Sequence, residues 1–184
     1  MRGYYGIGVE GLSKAQNLGA LMRTAHAFGA QFLFTIGATY KTKHGRQVDT
    51  SSATDNLPLY EFKTLGELML PKGCDLVGIE LTDHAIELPS FRHPARAAYV
   101  LGPERASLSP ELTAQCEYVI KIPTKFCVNV GLAGALVMYD RMISMGRFAE
   151  RPVRVGAPTE PKKEHVHGRP KLRHLARSNQ RLLG

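Results

Sequence analysis

Residues 97–110 read AAYVLGPERASLSP, an apolar run followed by a polar turn and then by the start of a helix. The run at residues 97–101 is short and apolar, which is typical of a buried strand. Gly102 ends it, Glu104 places a carboxylate in the turn, and Pro110 suits the first turn of a helix. A strand, a turn and a helix in this order form the repeating unit of an α/β domain.

The same alternation continues on both sides of this segment. Apolar runs predict strands at residues 4–9, 32–36, 59–62, 75–81, 97–101 and 118–122. Helices are predicted at residues 17–29, 65–70, 109–116 and 129–148, with a long loop at residues 37–57. We therefore expect an α/β fold with a mostly parallel sheet flanked by helices. Ligands of such sheets bind beyond the carboxyl ends of the strands, which directs attention to residues 81, 101–104 and 122–129.

Charge separates the last part of the chain from the rest. Residues 151–184 contain nine Lys or Arg and two acidic residues, so they carry +7 of the net charge of +8. Proline and glycine are frequent there and periodicity is lost. We predict a domain over residues 1–150 and a basic C-terminal tail over residues 151–184. A basic arm suits a polyanion such as RNA, and a solvated terminus without a specific partner accounts for the same charge equally well.

Composition argues against several other classes of protein. No apolar run is long enough to span a bilayer and the first residues lack the apolar run of a signal peptide, so we expect a cytoplasmic protein without a membrane partner. Three widely spaced cysteines are expected to be buried, reduced thiols: Cys74, Cys116 and Cys127. Three histidines of the tail lack a cysteine or acidic partner at metal-binding spacing, so no metal site is expected: His165, His167 and His174.

Three segments carry polar residues suited to a binding site. In residues 17–23, NLGALMR, Asn17 occupies the position of a helix N-cap, and Gly19 and Arg23 are predicted on the face opposite an apolar stripe. In the second segment, Gly102 would let the main chain approach a flat ligand such as adenine. In residues 122–140, IPTKFCVNVGLAGALVMYD, Asn129 is predicted to cap a buried helix. Taken singly, each segment is a weak signal, and a purely structural role explains it at least as well.

In order and spacing, these segments resemble motifs one, two and three of the SpoU/TrmH family of RNA ribose 2′-O-methyltransferases. The family patterns are N-x-G-N-x-x-R, then G-x-E-G-x-G-L, then I-P-M followed by S-L-N-V-S-V-A. The resemblance covers residues 5–145. It implies S-adenosyl-L-methionine as cofactor, tRNA or rRNA as substrate, a C-terminal trefoil knot, and a homodimer in which one subunit helps to complete the site of the other.

The resemblance also implies roles for individual residues. Arg23 corresponds to the catalytic arginine of the family, and Asn17, Glu104 and Asn129 correspond to polar residues around it. A second set corresponds to the cofactor-binding wall: Glu80, Leu81, Leu101, Gly102, Ile122, Cys127 and Val128. The chain departs from the family pattern in its second motif, where Arg105 and Ser107 replace two glycines, and Arg105 can add a phosphate contact.

Two questions stay open at the level of sequence. Arg23 is expected either to act as the base or to hold the phosphate next to the reacting ribose, since a guanidinium group resists deprotonation. The alternatives to a ribose methyltransferase are an RNA-binding protein of the same fold without catalytic activity and a knotted methyltransferase that acts on a base. A dinucleotide-dependent oxidoreductase is disfavoured, because no G-x-G-x-x-G follows a predicted strand.

Overall fold

The computed structural model describes residues 3–40, 56–146 and 148–159. Most of the predicted loop at residues 37–57, most of the basic tail and the three tail histidines lie outside these ranges. Met1–Gly146 forms one compact unit and Arg147–Gly184 forms a second. The described part of the second unit, residues 148–159, has no helix or strand, and the division at residue 150 stays a prediction. Within the described ranges, no helix has the length and apolar character needed to cross a bilayer.

The first unit is built on one sheet of seven strands, which confirms the predicted α/β class. The strands are β1 (Tyr4–Glu10), β2 (Phe32–Ile36), β3 (Leu59–Phe62), β4 (Asp75–Ile79), β5 (Ile86–Glu87), β6 (Arg96–Leu101) and β7 (Tyr118–Lys121). The helices are α1 (Ala15–Ala27), α2 (Pro110–Gln115) and α3 (Val130–Met145), with single 3-10 turns at Leu65–Glu67 and Leu88–Ser90. The sheet order is β3-β2-β1-β6-β4-β7-β5, and the paired strands of the described chain run parallel.

Side chains of the central strand β6 alternate between two apolar layers, as the period of a strand requires. Tyr99 and Leu101 belong to the layer that contains the buried faces of α1 and α3. Ala98 and Val100 belong to the opposite layer, which contains Leu112 of α2. Because both faces of the sheet are covered, its central strands are apolar at consecutive positions, which explains why they could be recognised in the sequence.

Glycines of β1 make room for phenylalanines of the neighbouring strand. Gly6 pairs with Phe32 and Gly8 with Phe34. A Cβ atom added at Gly8 would lie 2.5 Å from carbons of the Phe34 ring, and one at Gly6 would lie 2.2 Å from the Phe32 ring. Both phenylalanines are buried. The two rings thus cover the glycine backbone of β1, which has no side chains of its own. Aromatic groups of β2 therefore fill this part of the apolar layer that contains Leu112.

The helices α1 and α3 pack together on the first face of the sheet. Gly134 of α3 lies so close to Leu21 of α1 that an added Cβ would be 2.5 Å from its Cδ1 atom. Asn129 caps α3 as predicted, because its Oδ1 atom accepts a hydrogen bond from the N–H of Gly131 at 2.8 Å. The prediction that α3 is buried on all sides is wrong: Leu132 is 62% exposed and lies on an outward apolar face.

Several predicted boundaries were wrong for local reasons. The strand predicted at residues 75–81 ends at Ile79, because the N–H of Leu81 turns to the carboxylate of Glu80 at 2.9 Å. The third helix ends at Met145, before Gly146, rather than at residue 148. The helix predicted at residues 65–70 is a single 3-10 turn. The two-residue strand β5 was missed, since it is too short to show any period.

A buried arginine fixes the second half of α3 to the loop before β6. Arg141 has no exposed surface, and its Nη1 atom donates to the carbonyl of Pro94 at 2.6 Å and to the Tyr99 hydroxyl at 3.0 Å. Its Nη2 atom donates to the carbonyl of Ala95 at 3.0 Å. The guanidinium also lies 5.0 Å from the ring centre of Tyr5. These contacts compensate much of the cost of burying a charge.

The Tyr99 hydroxyl also connects Arg141 to a histidine. His93 Nδ1 lies 2.6 Å from the Tyr99 hydroxyl, and His93 Nε2 lies 2.9 Å from Oδ2 of Asp140. Because the hydroxyl accepts from Arg141, its proton is best directed at Nδ1, so the imidazole carries its own proton on Nε2 and donates to Asp140. Burial lowers the pKa of His93 more than the hydrogen bond and charge of Asp140 raise it, which favours this neutral form.

We expect Gly8→Ala to destabilise the protein by about 1–3 kcal/mol, because the new methyl group overlaps the buried ring of Phe34. Gly66→Ala is the matched control: Gly66 is exposed, a Cβ there meets nothing closer than 3.9 Å, and a change within about 0.5 kcal/mol is expected. Urea unfolding of both variants measures the difference. Equal free energies of unfolding for the two variants would contradict this account of β1.

Candidate functional site

A cavity of about 510 Å³ lies beyond the carboxyl ends of β6, β4 and β7. Because these three strands are parallel neighbours, the loops that follow them meet at one edge of the sheet. Part of its wall is apolar: Ile79, Leu81, Leu101, Ile122, Val128, Val130 and Ala133. The place agrees with the expectation that ligands of parallel sheets bind at this edge.

The structure brings the predicted cofactor-binding residues together around this cavity. All seven line it: Glu80, Leu81, Leu101, Gly102, Ile122, Cys127 and Val128. Three of the four predicted catalytic residues also line it: Asn17, Glu104 and Asn129. Arg23 is not among the lining residues. The convergence concerns position, and the roles of these residues stay predictions.

Sequence reasoning missed other lining residues, among them Lys14, Ile79, Thr124, Val130 and Ala133. Ile79 is the last residue of β4, and Val130 and Ala133 lie in the first turn of α3. These residues lie close in sequence to predicted site residues. Extending each predicted segment by one helical turn at both ends would therefore have included them. Lys14 lies within one turn of Asn17, so the same extension of the first segment would have included it.

The Glu104 carboxylate joins the loop after β6 to the beginning of α1. Its Oε1 atom accepts hydrogen bonds from Asn17 Nδ2 at 2.9 Å and from the N–H of Lys14 at 3.2 Å. Its Oε2 atom accepts from the Ser13 hydroxyl at 2.9 Å and from the Ser13 N–H at 3.3 Å. Since α1 has no acidic residue in its first turn, this distant carboxylate supplies the negative charge that a helix N-terminus favours.

The prediction that Asn17 caps α1 was wrong. The N-cap is Lys14, whose side chain makes no capping hydrogen bond, and Asn17 lies inside the first turn. Its amide instead bridges two segments: Nδ2 donates to Glu104, and Oδ1 accepts from Asn129 Nδ2 at 3.3 Å. Because an ionised carboxylate can only accept, both amide groups have a defined orientation. A chain of polar groups therefore runs from Glu104 through Asn17 to Asn129.

These contacts determine the charge of Glu104. Partial burial raises the pKa of its carboxyl group, but the hydrogen bonds from Asn17 and Ser13 outweigh burial and hold the pKa below its usual value. Glu104 is therefore an acceptor at neutral pH and is unsuited to donate a proton.

Gly102 also packs against its own loop, and its predicted close approach to a ligand stays a prediction. A Cβ at this position would lie 3.0 Å from the N atom of Leu108, 3.2 Å from the carbonyl carbon of Ser107 and 3.3 Å from the carbonyl oxygen of Ala106. The close approach is thus between the two ends of one loop. Gly102 lines the cavity as well, and the close packing at this position is made by the chain itself.

The departures from the family pattern lie at exposed points of this loop. Arg105 and Ser107 are exposed and line the cavity. Cys127, predicted to be a buried thiol, is exposed in the cavity wall, and the three cysteines are free. Burial raises the pKa of Cys74 and of Cys116 to about 11, so these two thiols stay protonated near neutral pH.

Arg23 is exposed on α1 two turns beyond Asn17, whereas Gly19 is buried. The prediction that both lie on the solvent face was therefore right for Arg23 and wrong for Gly19, which belongs to the side of α1 that packs on the core. Arg23 does not form part of the cavity wall.

The arrangement suits a ligand of mixed character. The volume lies in the range of small-molecule sites, and the apolar wall is interrupted by the carboxylate of Glu80 and the amides of Asn17 and Asn129. Among the described residues, no group of His, Cys, Asp and Glu is placed to hold a metal ion. The lining thus favours an organic ligand with both a flat apolar part and polar groups.

Known proteins share this architecture. The SpoU methyltransferase AviRb of Streptomyces viridochromogenes, which has also been solved with AdoMet, superposes with a TM-score of 0.68 and 24% identity over 80% of this chain and 62% of that chain. An AdoMet-bound rRNA methyltransferase of Sinorhizobium meliloti has a TM-score of 0.69 and 17% identity, over 80% of this chain and 59% of that chain. At these identities the likeness establishes the fold.

Sequence relatives agree with the structural ones. The mouse tRNA (guanosine(18)-2'-O)-methyltransferase TARBP1 is 29% identical over 138 residues, which cover 70% of this chain and 9% of the mouse protein. The chain thus spans a small part of that relative and less than two thirds of the structural relatives above. The model of the SpoU rRNA Methylase family matches residues 6–139, nearly the whole first unit, and the chain therefore belongs to this family.

Proposed function

We propose that the protein is an S-adenosyl-L-methionine-dependent RNA methyltransferase that methylates the ribose 2′-oxygen of tRNA or rRNA. The observation that carries the proposal is the convergence of three separate sequence segments on one cavity at the strand ends. The names of the mouse relative and of the family support an RNA substrate, tRNA in the first case and rRNA in the second.

The residues present fit the proposed cofactor. S-adenosyl-L-methionine combines a flat adenine with a ribose and a charged amino-acid group, and it supplies an electrophilic methyl group when bound. Ile79, Leu101 and Ile122 give the cavity apolar surfaces for a ring, and the Glu80 carboxylate gives it an acceptor for hydroxyl groups. We assign cofactor binding to the seven predicted wall residues and the support of the site to Asn17, Glu104 and Asn129.

Methyl transfer depends chiefly on holding the acceptor oxygen in line with the methyl group. Glu104 and Asn17 fix the start of α1 to the cavity wall, so they fix the direction in which this helix presents Arg23. We propose that Arg23 holds the phosphate next to the reacting ribose. Its exposed position outside the cavity wall supports a contact with RNA over a contact with the cofactor, and a guanidinium group resists deprotonation.

The remaining features of the proposal concern the chain as a whole. We propose a trefoil knot in the segment from β7 to α3, which is supported by the insertion of β7 between β4 and β5 and by the return of α3 to α1. We also propose that residues 151–184 act as a basic tail that contacts RNA phosphates, supported by their charge of +7. Action on RNA is consistent with the expected cytoplasmic location.

A homodimer is proposed on the outward apolar face of α3. Leu132, Leu136 and Tyr139 are 62%, 43% and 47% exposed, and they recur at helical spacing on one side. Tyr139 extends this face by an edge contact with Phe28 of α1, whose ring centre lies 6.5 Å away. Contiguous exposed apolar surface of this kind is typical of an interface. A second copy of the chain presents the same face, as a two-fold dimer requires.

Calorimetry with S-adenosylhomocysteine tests the cofactor assignment. We expect one site per chain with a micromolar dissociation constant, equivalent to about −8 kcal/mol. Leu101→Trp should fill the cavity and abolish binding, whereas Tyr60→Trp on the exposed edge strand β3 should not affect it. Absence of binding to the unaltered protein at millimolar ligand would leave an RNA-binding protein of the same fold as the better description.

Arg23→Ala separates binding from chemistry. We expect a change in stability below about 0.5 kcal/mol, because Arg23 is exposed. S-adenosylhomocysteine affinity should stay within about twofold, and methyl transfer should fall by about a hundredfold or more. The control is Gln16→Ala, an exposed position on the same helix. A phosphate contact also predicts that the log–log salt slope of RNA affinity falls by roughly 0.7–0.9, whereas a base would leave the slope unchanged.

Light scattering at micromolar concentration tests the dimer. We expect twice the 20.3 kDa mass of one chain for the unaltered protein and for Met69→Glu, a control at an exposed apolar residue distant in sequence from α3. Leu136→Glu should give a monomer, because two such carboxylates would be desolvated at the shared face. A monomeric unaltered protein, or a dimer that survives Leu136→Glu, would rule out this interface.

A further inference from the structure

The loop that follows β6 is held from both sides by carboxylates of the two flanking strands. Glu10 is the last residue of β1, and its Oε2 atom accepts from the Ser109 N–H at 2.8 Å while its Oε1 atom accepts from the Ser109 hydroxyl at 2.6 Å. Glu80 follows β4, and its Oε2 atom accepts from the Leu108 N–H at 2.8 Å. Since β1 and β4 are the neighbours of β6, the two carboxylates hold the end of the loop from opposite sides.

Ser109 connects this attachment to α2. Its hydroxyl oxygen accepts the N–H of Leu112 at 3.2 Å and so caps α2, while its hydrogen is directed to Glu10. Glu10 therefore sets the rotamer of the capping serine. Ser109 is thus the residue at which both the loop and α2 are attached to β1. A neutral amide in place of the carboxylate would have only one accepting oxygen for two donors.

The attachment determines the shape of the cavity wall. Residues 102–107 line the cavity, and a Cβ at Gly102 would lie only 3.0–3.3 Å from backbone atoms of residues 106–108, so the two ends of the loop pack closely. Residues 106–108 must therefore stay where they are if the wall is to keep its form. Glu10 is not among the lining residues, so any effect of Glu10 on a ligand must pass through Ser109 and this loop.

We propose that Glu10 is a positioning residue for the ligand cavity, acting through Ser109 to hold the loop at residues 102–108 in its binding conformation. The inference rests on the proposed cofactor function. It adds a residue that the quoted family motifs do not include and that does not line the cavity.

The test compares Glu10→Ala with Glu61→Ala. Glu61 lies on the edge strand β3 and accepts a hydrogen bond from Tyr40 at 2.7 Å, so the control also removes a carboxylate acceptor. Hydrogen exchange measured by mass spectrometry on the free protein reports the loop directly. Calorimetry with S-adenosylhomocysteine, at a temperature where circular dichroism shows each variant folded, reports the cavity. A purely structural residue would lower the melting temperature without changing the affinity of the folded protein.

We expect Glu10→Ala to accelerate exchange in residues 106–109 and to weaken S-adenosylhomocysteine binding by about tenfold, with no effect of Glu61→Ala on either. Ser109→Ala should weaken binding similarly, and the double variant should be no weaker than the stronger single variant, because the two residues act as one unit. If Glu10→Ala fails to fold, the exchange and the affinity of Ser109→Ala test the inference by themselves. Unchanged exchange in the variants overturns the inference, and so does an unchanged affinity together with a lower melting temperature. If the unaltered protein itself does not bind S-adenosylhomocysteine, the proposed function is overturned instead.

Discussion

The attachment of the Glu104 carboxylate to the beginning of α1 is the interaction on which the site depends. It brings together parts of the chain about ninety residues apart, and every hydrogen bond in it has a charged acceptor. Such bonds are stronger than neutral ones, and here they also satisfy N–H groups at a helix start. With α1 fixed in this way, Asn17 reaches Asn129, which caps α3 and so places the third side of the cavity.

The core of the fold follows from the cover on both faces of the sheet. Because β2 is buried at every position, its five apolar or β-branched residues could be delimited correctly from sequence. The same reasoning predicted β3 with correct ends and β6 to within one residue. It overran β4 by two residues, because the bond from the Leu81 N–H to its neighbour Glu80 leaves no trace in the pattern of apolar residues.

Long-range polar contacts mark the limit of prediction from this sequence. Asn17 was predicted to be the N-cap of α1 because asparagine is favoured at that position. The N-cap residue is Lys14, and the acceptor for its N–H group is the Glu104 carboxylate from another loop. Arg141 has the sequence environment of a solvated residue at the end of a helix, and it is fully buried. Both depend on partners that only the folded chain brings near. The composition of the cavity was predictable because motif order places residues at strand ends; the bonds that hold its loop were not.

The divergence of the second motif becomes intelligible once the constraints on the loop are separated. The loop packs most closely on its own backbone at Gly102, and that position is unchanged from the family pattern. Arg105 and Ser107 stand at exposed positions where side chains find room, so the loss of two glycines there has little steric consequence. Their side chains instead change the lining of the cavity, where Arg105 adds a second cation to that of Lys14. Added positive charge favours an anionic ligand, so the altered motif is compatible with RNA binding.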